Sequence, residues 1–67
     1  MALLDDPGLI GAKVQEEAEE VARAAREETD DRVDSEAADV LYHLLVLLRS
    51  RGRDLADAQE VLRARSR

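Results

Sequence analysis

The sequence predicts an all-α fold, and three observations carry that prediction. Apolar residues recur at steps of three and four over two stretches of roughly twenty residues each. No stretch alternates apolar with polar residues at period two, as a half-buried strand would. Helix-start and helix-stop residues stand where the periodic stretches begin and end.

The first helix opens at Asp6-Pro7. Aspartate is a favoured N-cap, and proline at the first helical position gives up an N–H that would have no partner anyway. Gly8 and Gly11 weaken the first turns, so fraying is expected there. From Leu9 to about Glu28 the pattern is helical, and Val14, Ala18, Val21 and Ala25 form a narrow stripe of small residues that lets a partner approach closely. Thr29-Asp30-Asp31 is a polar break. A second helix is expected from near Asp31 to Arg51, with Val33, Ala37, Leu41, Leu44 and Leu48 as its main stripe.

Residues 40–48 are apolar around almost the whole helix, a pattern that calls for cover on every side. One other helix of so short a chain cannot supply it, which predicts an oligomer. Gly52 is a natural C′ residue, and Arg49 and Arg51 suit the negative end of the helix it terminates. Asp54 caps a short third helix whose apolar face is Leu55, Ala58, Val61 and Leu62. The expected architecture is a helical hairpin plus a short third helix, assembling into a dimeric or tetrameric four-helix-bundle core.

Size and composition agree. The 67 residues (7.4 kDa) fit one domain, residues 1–67. A chain this short buries only about 60% of its unfolded surface, so a solitary monomer would be marginal. With no cysteine, disulfides cannot help, which leaves a metal, self-association or very regular packing. The longest apolar run, Leu44 to Leu48, is far short of the ~20 residues that span a bilayer. No basic region followed by an apolar stretch marks a secretory signal, so a cytoplasmic location is expected.

The net charge of −6 is unevenly placed: residues 1–39 carry 13 acids against 4 bases, and residues 40–67 carry 3 acids against 6 arginines. The acidic half would repel phosphate backbones, which argues against nucleic acid as the main partner. It can still serve a polyphosphate if a divalent cation lies between. The arginines at 49, 51, 53, 63, 65 and 67 read first as a solvated rim.

At about 100° per residue, Glu17 falls about 60° from the Val14 stripe, with Glu20 and Glu16 further round the same side. On helix two, Glu36, His43 and Asp39 follow one another round one side of the Ala37 stripe. Each helix thus has an acidic edge beside its packing face, and antiparallel packing would bring the edges together. Converging carboxylates repel, and all-oxygen ligation suits Mg²⁺ or Mn²⁺ rather than zinc. Such ions clamp a di- or triphosphate and acidify an attacking water. The plainer reading is an ordinary solvated face. Against it, Glu17 and Glu36 lie at the border of the packed faces, where an unpaired carboxylate is costly. His43 reads as a hydrogen-bonded core histidine before a catalytic base, and Tyr42 as a packing residue with its hydroxyl satisfied at an interface.

The literal strings narrow the choice. Lys13-Val14-Gln15-Glu16-Glu17-Ala18-Glu19-Glu20, then Glu36-Ala37-Ala38-Asp39-Val40-Leu41-Tyr42-His43-Leu44-Leu45-Val46, closely resemble the phosphoribosyl-ATP pyrophosphohydrolase family. Arg51-Gly52-x-x-Leu55-x-Asp57 and Leu4-x-x-Pro7-x-Leu9-Ile10 are similar to flanking segments of the same family. The acidic signature alone would indicate only the wider all-α MazG-like nucleotide pyrophosphohydrolases.

The resemblance implies Mg²⁺-dependent cleavage between the α- and β-phosphates of phosphoribosyl-ATP, the second step of histidine biosynthesis, with Mn²⁺ as a possible substitute. It implies metal-site roles for Glu16, Glu17, Glu20, Glu36 and Asp39, and a phosphate contact for Lys13. Either Glu17 or Glu20 would orient the attacking water. The chain resembles an N-terminally shortened member lacking the family's first helix. Two alternatives stay open: a house-cleaning (d)NTP pyrophosphohydrolase with the same acids, and a non-catalytic helical oligomer that has lost the substrate arm.

Overall fold

A computed structural model describes residues 6–66; Leu4 of the N-terminal string and Arg67 lie outside the described residues. Three helices follow in order, α1 (Pro7–Glu27), α2 (Asp30–Ser50) and α3 (Leu55–Arg65), and no strand occurs among the described residues.

Each boundary has a local cause. The Asp6 carboxylate accepts the Leu9 N–H at 3.1 Å, satisfying one of the donors that the first turn leaves free. At the other end the Glu28 N–H closes on the Ala24 carbonyl at 2.9 Å. Thr29 then caps α2, its Oγ1 accepting the Arg32 N–H at 3.4 Å, and Asp30 and Asp31 sit at the positive end of the helix. With only Glu28 and Thr29 between them, α1 and α2 form an antiparallel hairpin.

Helix α2 stops at a glycine C-cap. Gly52 takes φ +70°, its N–H bonds the Arg49 carbonyl at 2.9 Å, and the Arg53 N–H reaches back to the Leu48 carbonyl at 2.8 Å. These are the paired bonds of a Schellman motif. Asp54 and Asp57 then cap α3 reciprocally: Asp54 Oδ1 accepts from the Asp57 N–H at 3.2 Å, and Asp57 Oδ2 from the Asp54 N–H at 3.0 Å.

The packed face of α1 differs from the expected stripe. Ile10 and Ala24 are fully buried and Glu17 nearly so, whereas Ala18 and Ala25 are exposed. Ile10, Glu17 and Ala24 stand seven residues apart. The centre of the contact is therefore turned by about 60° from the Val14 stripe toward the acidic edge. On α2 the expected stripe is covered at Val33, Ala37, Leu44 and Leu48 and exposed at Leu41, and the cover extends toward the acidic side over Glu36, Val40, His43 and Leu47. Each helix has an apolar face wider than one neighbour can cover. The hairpin takes the half beside the acids and leaves the other half open.

That open half forms a groove of about 410 Å³ lined by Ala18, Val21, Ala37, Val40 and Leu41. Farther along α2, Tyr42, Leu45, Val46 and Arg49 line a second depression of about 280 Å³. Helix α3 buries none of its residues, and Leu55, Val61 and Leu62 face outward. The molecule measures 41 × 35 × 14 Å, a slab little thicker than one helix.

Candidate active site

Antiparallel pairing brings the two acidic edges together, as the wheel predicts. Glu17 is the one buried charged residue among those described, 7% exposed at the centre of the α1 contact face. Its Oε1 lies 2.5 Å from Nδ1 of His43 on α2. The contact is off the hydrogen-bonding direction, so Oε1 is a buried oxygen without a directed hydrogen bond. The same Nδ1 is 3.2 Å from the carbonyl oxygen of Asp39, one turn earlier on α2.

One turn from Glu17, Glu20 faces Glu36 of α2 closely enough to act on its titration. The Glu36 carboxyl holds its proton above the ordinary glutamate value, first because the hairpin desolvates it, then because Glu20 and Asp39 crowd it with negative charge. Arg32 works in the opposite sense, donating from a guanidinium nitrogen to Glu36 Oε2 at 3.0 Å and to Glu28 Oε1 at 3.4 Å. The structure therefore groups Glu20, Glu36 and Asp39 on one edge, with Glu17 beside them and deeper.

Glu16 is exposed and engaged by Lys13, whose Nζ donates to Glu16 Oε1 at 3.1 Å. That hydrogen bond and the neighbouring charges of Glu16, Glu17 and Glu20 raise the Lys13 pKa and keep it cationic next to the acids. Tyr42 stands 61% exposed, touching its neighbour His43 ring-edge to ring-face at 4.9 Å.

Whether such residues suit a divalent cation can be judged from two observations. Among the described residues no three acids converge tightly enough to cage an ion by themselves. Mg²⁺ seldom needs a closed cage; it is usually held by one or two carboxylates, several waters and substrate phosphates. An all-oxygen edge spread over two helices, with an orphaned carboxylate oxygen beside it, fits that kind of binding.

Reading the sequence as apolar stripes missed the depth of Glu17 and its pairing with His43. The available signal was the seven-residue spacing Ile10, Glu17, Ala24, which places a carboxylate between two core positions.

Comparison with known proteins gives one consistent answer. The family model described as phosphoribosyl-ATP pyrophosphohydrolase matches residues 2–66. The chain is 57% identical over 58 residues to the phosphoribosyl-ATP pyrophosphatase of Pyrobaculum neutrophilum, covering 87% of this chain and 62% of that protein. It is 55% identical over 58 residues to the histidine biosynthesis bifunctional protein HisIE of Xylella fastidiosa, covering 87% of this chain and 28% of that protein. To the chloroplastic bifunctional protein hisIE of Arabidopsis thaliana it is 47% identical over 64 residues, 94% of this chain and 23% of that protein. The chain thus spans less than two thirds of the length of these relatives. No solved structure matches it.

Proposed function

This chain belongs to the phosphoribosyl-ATP pyrophosphohydrolase family, and on that premise we propose that it hydrolyses phosphoribosyl-ATP to phosphoribosyl-AMP and pyrophosphate with the help of Mg²⁺. The observation that carries the site assignment is the carboxylate edge of Glu20, Glu36 and Asp39 beside the orphaned, buried oxygen of Glu17. Glu17, Glu20, Glu36 and Asp39 would hold the ion, which supplies charge neutralisation on the polyphosphate and a more acidic bound water. Glu20, exposed enough to meet solvent and beside the ligand edge, orients the attacking water, with Glu17 as the other candidate. Glu16 keeps Lys13 charged and close to the edge, where its ammonium serves a substrate phosphate.

A second copy of the chain completes the fold in this reading. A slab 14 Å thick has no second layer, whereas domains are built from at least two. The small residues Ala18 and Ala37 in the open groove allow helices to approach closely, and Leu41 beside them is 54% exposed. Covering this face with another hairpin produces the four-helix bundle expected from the apolar circumference of residues 40–48. Leu41→Glu is expected to shift the chain to monomer in light scattering coupled to gel filtration.

The deciding experiment is pyrophosphate release from phosphoribosyl-ATP, with Mg²⁺ and with EDTA, alongside Glu20→Gln and Asp39→Asn. Mg²⁺-dependent release that both substitutions abolish supports the assignment. Equal or faster release from dNTPs would favour a house-cleaning activity, and no release from a folded oligomer would leave a scaffold.

A further inference from the structure

We infer that His43 is a positioning residue, which sets the carboxylate of Glu17 for the acidic edge; the inference rests on the reading that this edge holds a divalent cation. Glu17 is the only charged side chain among the described residues to be buried in the hairpin contact, and its Oε1 lies against Nδ1 of the His43 ring there. A buried carboxylate with neither a donor nor a cation beside it carries a heavy desolvation cost. The imidazole of His43 is the polar group that α2 sets against it.

The ring is held on two sides. Its Nδ1 lies 2.5 Å from Glu17 Oε1 on α1 and 3.2 Å from the Asp39 carbonyl of its own helix, and the Tyr42 ring meets it at an interplanar angle of 85°. The imidazole thus links one acid-bearing turn of α1 to the turn of α2 that carries Asp39. The directed partner of Nδ1 is the Asp39 carbonyl, and Glu17 Oε1 meets the same nitrogen by close contact. Outer partners of this kind orient a carboxylate ligand, and their removal commonly weakens metal affinity by about 10- to 100-fold.

The test compares two polar variants. In His43→Asn the amide nitrogen falls near the position of Nδ1 and can still meet Glu17; in His43→Gln it falls near Nε2 and cannot. Mn²⁺ affinity of the intact chain, read from free-ion electron paramagnetic resonance, is measured for both against wild type. Circular dichroism confirms that each variant is folded at the temperature used.

His43→Gln is expected to bind Mn²⁺ about 10- to 100-fold more weakly, with His43→Asn recovering most of the affinity. Equal affinity in wild type and His43→Gln, even with a lowered melting temperature in the latter, overturns the inference and leaves His43 a packing residue. If wild type itself binds no Mn²⁺, the cation reading fails and takes the positioning role with it, a result distinct from the previous one.

Discussion

Glu20 on α1 and Glu36 on α2 face one another across the hairpin, and the proton affinity of Glu36 is raised in consequence of its burial and of that neighbour. The pH dependence follows from the sign of the shift. With a folded-state pKa above the ordinary 4.5, the folded chain binds more protons than the unfolded one between the two values. Stability from this group therefore falls as pH rises through that window, and the penalty persists at neutral pH. Glu36→Gln is expected to melt above wild type at pH 7.5 in EDTA, the difference closing near pH 4. A variant melting below wild type at pH 7.5 would mean that the Arg32 pairing outweighs the repulsion.

A cation bound at the proposed edge would reverse that balance. An ion that binds only the folded state stabilises it by about 2.7 kcal/mol at a concentration of 100 Kd. Titrating Mg²⁺ into wild type should raise the melting temperature progressively, while Asp39→Asn responds little. The same rise in both would place the ion elsewhere.

Gly11 lies inside α1, and a methyl group added there meets nothing within 4 Å. Gly11→Ala is expected to stabilise the fold by about 0.5–1 kcal/mol, because alanine loses less conformational freedom in a helix. For a chain of this size each kcal/mol is worth about 4–8 °C in thermal unfolding. No gain would show that the first turns of α1 are not helical in solution.

The paired aspartates at the start of α3 act on a helix with little other support. Asp54→Ala removes the acceptor of the Asp57 N–H, while the bond from the residue 54 N–H to the Asp57 carboxylate remains, a loss of about 1 kcal/mol. Amide hydrogen exchange over residues 55–65 should speed up about fivefold while the hairpin is unchanged. Matching acceleration in α1 would mean that α3 and the hairpin open as one unit.

The sequence made the helix boundaries legible because they are set locally. Asp6-Pro7, Thr29, Gly52 and Asp54 each act within a few residues of themselves, and the helices begin and end within a residue or two of the positions these signals indicate. The rotation of the helices was harder to read. Counting apolar residues treats every carboxylate as outward-facing, so the stripe was centred on Val14 and Ala18. The contact is centred instead on Ile10, Glu17 and Ala24, where an acid lies against a histidine from the other helix. The grouping of Glu20, Glu36 and Asp39 survives that error because on both helices the contact extends toward the acids.

The left-handed backbone of Gly52 has a consequence for how α3 is presented. Because φ +70° and the two backward hydrogen bonds fix the corner after α2, the heading of α3 is chosen by stereochemistry before anything touches it. Leu55, Val61 and Leu62 are thereby displayed on an arm that is already aimed. A surface docking there meets a preorganised element and forgoes much of the entropy of ordering a loose tail. A bulkier residue at that corner is strained at φ +70° and would loosen the heading of α3 even where every other side chain is kept.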